Sequence, residues 1–153
     1  MASSANVYGH HETGNGYLDV FSGGTAISVW VNSRGQVFVH SGAVVSDTRE
    51  NWMGSMFLYE GALAENTIVN TGCYLYISGG IANGLEAYGN GTYGGAYIYL
   101  FGGTVTDVTL NSIGYLYVSS GGVRNLGRRE SEGPDGDRRR GDFDHRERRQ
   151  HMG

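Results

Sequence analysis

Short stretches of alternating apolar and polar residues recur along the chain, and each is closed by one or two glycines. Six copies start at positions 16, 35, 54, 73, 96 and 114, with spacings of 19, 19, 19, 23 and 18 residues. The clearest copy is GYLYVSSGG at 114–122. A short recurring period predicts a repeat architecture in which each copy supplies one structural unit.

Within the copies, every second residue falls in one of two apolar columns. These columns hold Leu18, Val37, Met56, Leu75, Ile98 and Leu116, and Val20, Val39, Leu58, Ile77, Leu100 and Val118. Such alternation predicts a half-buried strand. A 19-residue unit cannot bury that face alone, whereas stacked units bury it as a continuous core. We therefore predict an all-β fold, a β-solenoid of about six short coils. A twisted sandwich is the competing fold, but it would not require the same columns in every copy.

Turn residues recur between the strands. A glycine column follows each copy, and asparagine stands three residues before four of the later copies. The positions are Gly23, Gly42, Gly61, Gly79, Gly102 and Gly121, and Asn32, Asn51, Asn70 and Asn111. Glycine permits positive φ and asparagine tolerates the left-handed conformation, so both columns predict turns. Stacked in register, the asparagines can also form a ladder of side-chain hydrogen bonds.

The repeats divide the chain into three parts. Residues 1–15 are polar and predict a loose lead-in, and residues 16–123 form the predicted solenoid. From 82 to 96 the fourth unit has 14 residues where others have 9, which predicts a loop bulging from one coil. Residues 124–153 hold nine arginines, seven acids and few apolar residues, which predicts a disordered tail. The abrupt change at 124 also fits a tail that is foreign to the repeats, such as out-of-frame sequence.

Charge and composition exclude several classes of binding partner. Residues 1–123 carry two arginines against eight acids, so the repeats offer no basic surface to nucleic acid or to an anionic membrane. No stretch approaches the roughly 20 apolar residues that span a bilayer. The N-terminus also lacks the basic and apolar regions of a signal peptide. We therefore expect no nucleic-acid partner, no membrane insertion by this chain and no export signal within it.

An outward column of aromatic residues is the strongest candidate for function. It comprises Phe38, Phe57, Tyr76, Tyr99 and Tyr117 and is flanked by further tyrosines. Aromatic stacking between coils would hold the register, at roughly 0.2–1 kcal/mol per pair. The same column would present a flat contact face for glycans or for another solenoid. The register interpretation is the simpler one, and the two are compatible.

Motifs for cofactor and metal binding are weak in this chain. Residues 89–94 match G-x-G-x-x-G, but a repeat strand follows them where a dinucleotide site needs a helix. His10, His11 and Glu12 have no partner cluster, and Cys73 stands where other copies have a small residue at a turn. We expect no cofactor and no metal.

Catalysis on polysaccharides is the alternative function, because some β-helices are polysaccharide-degrading enzymes. It would require paired carboxylates, and the body's acids mostly occupy different columns. Asp47, Asn66 and Asp107 share one column, but Asp47 and Asp107 lie three units apart. An enzyme would need the inserted loop to bring Glu86 and Asp107 together. We therefore predict that the protein is not an enzyme.

The repeats resemble those of AIDA-type autotransporter adhesins, whose pattern is SGGxAxxTxVNSxGxLYVSSGG. The best matches are GALAENTIVNTGCYLYISGG at 61–80 and GGTVTDVTLNSIGYLYVSSGG at 102–122. The resemblance covers roughly residues 16–123. It implies a right-handed β-helix passenger that is exposed on the cell surface and acts in adhesion, autoaggregation and biofilm formation. It also implies that repeat serines and threonines can carry heptose.

The expected function is that of a non-enzymatic surface adhesin or autoaggregation passenger fragment. Its expected partners are cell-surface glycans or proteins, or a second copy of itself, and its expected location is the cell surface. The signal sequence and membrane barrel of the family are missing from this chain. A truncated gene product without independent function is therefore a further alternative.

Overall fold

The computed structural model describes residues 5–9 and 14–125, and there the chain consists of strands and turns. The strands are β1 (Ala5–Tyr8), β2 (Tyr17–Val20), β3 (Thr25–Ile27), β4 (Val29–Asn32), β5 (Gln36–Val39), β6 (Val44–Glu50), β7 (Ser55–Tyr59), β8 (Leu63–Asn70), β9 (Tyr74–Ser78), β10 (Ile81–Gly89), β11 (Ala96–Leu100), β12 (Gly103–Ser112), β13 (Gly114–Val118) and β14 (Gly122–Asn125). The structure confirms the predicted all-β solenoid of about six coils.

Two parallel sheets run the length of the solenoid. One has the order β13-β11-β9-β7-β5-β2, and these six strands coincide with the six sequence copies. The other has the order β1-β4-β6-β8-β10-β12-β14, with β3 paired to β6. Each strand pairs with the matching strand of the coil before and the coil after. The register is that of the sequence columns, as in Leu75 opposite Met56 and Ile98.

Each coil turns at three places, so it has three sides. The glycine column makes the first corner, and a left-handed residue bends the long strand at the second. That residue is, coil by coil, Ser28, Asp47, Asn66, Gly84 and Asp107, with φ between 49° and 68°. Asparagine, aspartate and glycine tolerate this conformation best. We call β2, β5, β7, β9, β11 and β13 the first side. The second and third sides are the strand segments before and after the bend, with β14 on the second side and β1 on the third.

The core is a continuous column of side chains from all three sides. Both predicted apolar columns line it, and their members in the central coils are fully buried. The second side adds small residues such as Ala64 and Ala82, and the third side adds residues such as Leu85 and Val69. Val118, in the last coil, is 46% exposed although it belongs to an inward column. The core is therefore uncovered at that end of the described solenoid.

The glycine and asparagine columns act as predicted. Gly61 has a φ of 77°, and a Cβ there would lie 2.7 Å from the Ser41 hydroxyl in the coil before. Nδ2 of Asn51 donates to Oδ1 of Asn32 at 3.1 Å, and Nδ2 of Asn70 donates to Oδ1 of Asn51 at 2.9 Å. The asparagine ladder stops at the next coil, because Tyr88 occupies that position.

The inserted residues form a small hairpin, as expected. Asn90 and Gly94 form an antiparallel bridge, and Oδ1 of Asn90 accepts hydrogen bonds from the backbone of Thr92 and Tyr93. Tyr93 packs against Trp52 of an earlier coil, with the ring centroids 5.5 Å apart. The G-x-G-x-x-G sequence is this hairpin, and strand β11 follows it.

The solenoid extends past both predicted boundaries. Strand β1 lies within the predicted lead-in and pairs with β4, with Val7 opposite Val31. Strand β14 reaches Asn125 and pairs with β12. The polar composition of residues 1–15, rich in glycine and histidine, does not indicate this single four-residue strand. His10, His11 and Glu12, and the tail from residue 126 onward, lie outside the described residues.

Candidate functional site

The predicted aromatic column lies on the outside of the first side as one continuous stack, here called the aromatic ladder. Its members are Phe38, Phe57, Tyr76, Tyr99 and Tyr117, and successive ring centroids are 4.9, 5.0, 5.3 and 5.0 Å apart with interplanar angles of 10° to 12°. The rings stack because the in-register strands that carry them lie about 4.8 Å apart. The structure thus brings all five predicted residues together.

Two further aromatic rows widen this face. Tyr74, Tyr97 and Tyr115 form a second stack, with centroids 5.2 and 5.4 Å apart. Tyr74 also contacts Tyr76 of the ladder at 6.1 Å. A third row, which the sequence did not single out, consists of Phe21, His40 and Tyr59. Three parallel rows make the first side an aromatic wall.

The stacking decides which part of each ring is available to a partner. A ring whose two faces lie about 5 Å from its neighbours offers a partner its outer edge rather than its face. Four ladder members are half-buried, and Tyr117 in the last coil is 48% exposed. The wall is therefore a surface of ring edges and tyrosine hydroxyls, which suits flat contact with another extended surface. It does not suit a sugar stacked flat on a single ring.

Two tyrosine hydroxyls of the ladder, those of Tyr76 and Tyr99, are protonated at neutral pH. Partial desolvation, together with the neighbouring tyrosines, raises the pKa of Tyr76 and of Tyr99 above the ordinary value. At neutral pH each can both donate and accept a hydrogen bond.

A polar contact ends the ladder in the first coil. Asp19 occupies the ladder position there, opposite Phe38. Its Oδ1 lies 2.8 Å from Nε2 of His40, which is itself stacked between Phe21 and Tyr59. The sequence places Asp19 at the ladder position of its repeat. It does not indicate that His40 is its partner, because the two residues are 21 positions apart.

A shallow groove of about 420 Å³ lies along the second corner. Its lining includes Asp47, Glu86 and Asp107, so the structure does bring the two carboxylates of the enzyme alternative to one surface. Asp47 and Asp107 are three coils apart, about 14 Å at the usual strand spacing. Catalytic carboxylates of glycosidases are roughly 5–9.5 Å apart. Glu86 accepts a hydrogen bond from the Tyr88 hydroxyl, which raises the pKa of Tyr88. In the groove Glu86 is paired with the Tyr88 hydroxyl, and Oδ1 of Asp47 accepts a hydrogen bond from Nδ2 of Asn66 at 3.2 Å.

The chain is similar to a solved structure, the TibC-catalysed hyper-glycosylated fragment 55–350 of TibA. The TM-score is 0.63 and the sequence identity is 29%, over 82% of this chain and 52% of the TibA chain. The chain thus spans about half the length of the structure it matches. No family model and no curated protein matches the sequence.

The described part of the chain lacks two other kinds of feature, a metal-binding cluster and a membrane-spanning helix. Residues 5–9 and 14–125 contain no group of three or more histidine, cysteine or acidic side chains that could hold a metal. The same residues include no helix long and apolar enough to cross a membrane.

Inside the core, an acidic residue stands where the other coils are apolar. Glu50 is fully buried opposite Val31 and Val69, and neither carboxyl oxygen has a hydrogen-bond partner in the described structure. Burial raises the pKa of Glu50 well above its ordinary value. The hydroxyls of Thr48 and Thr67, also buried, have no partner there either. The signal was visible in the sequence, since Glu50 precedes Asn51 where other repeats have valine or leucine before the asparagine.

Cys73 shares this interior. It is fully buried, which fits the predicted small residue at a turn. Burial first, and then the Glu50 charge, raise its pKa to about 12. This thiol is therefore protonated at neutral pH.

Cys73 is expected to resist thiol reagents in the folded protein. Reaction needs the thiolate, whose fraction falls tenfold for each unit of pKa. We expect native Cys73 to react with a chromogenic disulfide at pH 8 more than about a hundredfold more slowly than the unfolded chain. An exposed Ser33→Cys thiol in a Cys73→Ala background is the control and should react rapidly. Fast labelling of native Cys73 would show that the coil opens.

Proposed function

We propose that this chain is a non-enzymatic adhesive segment of a bacterial surface passenger, and that it acts through the aromatic wall of its first side. The observation that carries the proposal is the continuous ladder from Phe38 to Tyr117, which runs through five successive coils. A repeating, partly exposed aromatic face of this kind is typical of surfaces that contact other molecules.

Two likenesses support the proposal. The repeats resemble those of AIDA-type autotransporter adhesins, and the fold matches the TibA fragment, a passenger of that class. Neither match is to an enzyme. The likeness also supports a location at the cell surface.

The wall would act by many weak contacts. One ring edge per coil gives little affinity alone, but the same contact recurs at each coil spacing. When such sites are linked on one rigid body, the total avidity greatly exceeds any single affinity. The partners that this mode fits are cell-surface glycans, cell-surface proteins or the same wall on a second copy. The exposed edges favour an extended partner that lies along the solenoid.

Cell-clumping assays test the proposal. The chain is displayed on bacteria through an exported carrier, and the settling of the cells and their adhesion to glycan-coated surfaces are measured. The test variant replaces Phe57, Tyr76 and Tyr99 by threonine, which keeps a strand former outside the core. We expect it to lose at least about tenfold in adhesion, because three neighbouring repeats of an avid surface are removed together.

A matched triple variant on the second side is the control. Val44, Leu63 and Ile81 form an outward column there and can be replaced by threonine in the same way. We expect the control to adhere like the unmodified chain. Both variants are first checked for β-structure by circular dichroism, because loss of the ladder also costs roughly 0.2–1 kcal/mol per pair. Undiminished adhesion by the folded ladder variant, or equal loss in both, would contradict the proposal.

A further inference from the structure

The third aromatic row is interrupted in the fourth coil. Its rings stack from Phe21 through His40 to Tyr59, with centroids 4.7 and 5.4 Å apart. The residue paired with Tyr59 in the next coil is Ser78, which is small and exposed. One face of the Tyr59 ring therefore has an aromatic neighbour, whereas the other face is bordered by a serine.

An aromatic ring returns to this row one coil further along, at Phe101. Leu100 pairs with Ile77, so Phe101, which follows Leu100, lies opposite Ser78. The Phe101 ring is nearly parallel to the ring of Tyr99 in the ladder, with an interplanar angle of 3°. Because the ladder rings stack along the solenoid axis, one face of Phe101 is directed toward Ser78. Phe101 is 52% exposed.

The distance between these two rings fits one further ring. Tyr59 and Phe101 are two coils apart, which gives roughly 10 Å between their ring planes at the usual strand spacing. A ring placed midway would lie about 5 Å from each, which is the spacing of the rings in the ladder. We call the space between Tyr59 and Phe101, beside Ser78, the ring slot. Most rings of the wall present their edges, but the ring slot presents two ring faces.

The surroundings of the ring slot are polar. It opens on a shallow surface groove of about 850 Å³. Glu60 lies at the margin, since a Cβ placed on Gly79, the residue after Ser78, would be 3.1 Å from Cβ of Glu60. Farther along the groove stand the exposed hydroxyls of Ser22 and Ser41. Among the described residues that line the groove there is one carboxylate and no arginine or lysine.

We propose that the ring slot binds a neutral pyranose ring of a glycan, held between Tyr59 and Phe101. The faces of a pyranose carry C–H groups that pack on aromatic faces, and its hydroxyls project from the edge of the ring. The slot offers the matching groups: two aromatic faces, and the Ser78 hydroxyl and the Glu60 carboxylate at its margin. The slot is separate from the aromatic ladder, so this binding does not depend on adhesion by the ladder.

The polar margin favours a sugar over the aromatic side chain of a protein partner. A phenyl ring in the slot would bring a hydrocarbon edge against Glu60 and Ser78, and it would remove water from both without replacing the hydrogen bonds. A pyranose brings hydroxyls to the same place, and these can donate to the Glu60 carboxylate. The same carboxylate disfavours an acidic sugar, because like charges repel. The rest of the glycan would lie in the groove, beside Ser22 and Ser41.

Nuclear magnetic resonance of the full 153-residue protein with the methyl glycosides of glucose, galactose and mannose tests the slot. Saturation of the protein's aromatic protons should be transferred to the C–H protons of at least one sugar. We expect a dissociation constant on the order of millimolar, because one small ring makes few contacts. Ser78→Phe places a side chain in the slot and should weaken binding by at least about tenfold. Phe101→Ser removes one of the two faces and should have the same effect.

Two controls separate the slot from general effects on the fold. Both variants are first checked for β-structure by circular dichroism. Ser46→Phe introduces the same side chain on the outer face of the second side, and it should bind sugar like the unmodified protein. The methyl glycoside of glucuronic acid has the ring of the glucoside and an added carboxylate. It should bind more weakly than the glucoside, and Glu60→Gln should reduce that difference.

The outcomes that would overturn the proposal are distinct. They are an absence of saturation transfer to all three sugars, undiminished binding by folded Ser78→Phe, or loss of binding with Ser46→Phe. A slot that binds 4-methylphenol, the tyrosine side chain, more tightly than every sugar would be a site for a protein partner, and the proposal would fail. Adhesion lost by the ladder variant without any sugar binding would remove the slot alone. Sugar binding with undiminished adhesion by the ladder variant would remove the proposed function alone.

Discussion

Replacing Leu75 by alanine is expected to lower the free energy of unfolding by about 3–5 kcal/mol. Leu75 is fully buried in a central coil, with Met56 on one side and Ile98 on the other. The neighbouring coils are fixed by strand pairing and cannot collapse into the space, so the lost side chain leaves a cavity. Denaturant unfolding followed by circular dichroism measures the change. The comparison requires that the m-value, the slope of the unfolding free energy against denaturant concentration, is the same in both proteins.

The matched variant is Leu116→Ala in the last coil. It removes the same atoms from the same column, but Leu116 is 7% exposed and has a described neighbour on one side only, Ile98. We expect its cost to be about half as large, because fewer contacts are lost and water can reach the site. Equal costs at the two positions would contradict a core that is continuous through the centre and open at its end.

Replacing Glu50 by leucine is expected to stabilise the protein at pH 7 by at least about 2 kcal/mol. A buried polar group without a hydrogen bond costs roughly 1–3 kcal/mol, and Glu50 brings two such oxygens into the core. Leucine has a similar size and matches the valines that flank the site in register. Thermal and denaturant unfolding at neutral pH give the difference. A loss of stability would show that the carboxyl has a partner that it needs.

The Glu50 carboxyl also makes the free energy of unfolding depend on pH. Its pKa is raised in the folded protein by burial, while in the unfolded chain it is near 4.3. Between these two values the folded state holds a proton that the unfolded state releases, so stability falls as pH rises above about 4.3. Glu50→Gln keeps the buried polar group but cannot titrate. It should lose this part of the pH dependence, and an identical pH profile for both proteins would contradict the assignment.

The sequence allowed much of the fold to be predicted. Twelve apolar residues in two columns identified the first side and its register, because every coil places the same residue type at the same depth. The glycine and asparagine columns marked two of the three corners. The aromatic ladder could be predicted for the same reason, since residues between inward columns must point outward on a strand.

The remaining features depend on contacts that one repeat does not show. Asp47, Asn66 and Asp107 were visible as a column, but their left-handed conformation appears only when the long strand bends around the core. The third aromatic row was missed because His40 interrupts it, and the contact of His40 with Asp19 joins two different coils. Strand β1 was missed because it is a single strand without a copy beside it in the lead-in.

The central claim is that the 19-residue repeats stack in register as one solenoid, and engineered disulfides test it most directly. Ser46 and Glu65 are opposite each other in β6 and β8. In a Cys73→Ala background, cysteines at both positions would have Cα atoms about 4.8 Å apart, within the range that a disulfide bridges. Cysteines at Val44 and Glu65 share the same face but would be roughly 8 Å apart, beyond that range. The account predicts rapid disulfide formation by the first pair in the folded protein and little by the second. Equal rates, or faster closure of the second pair, would contradict it.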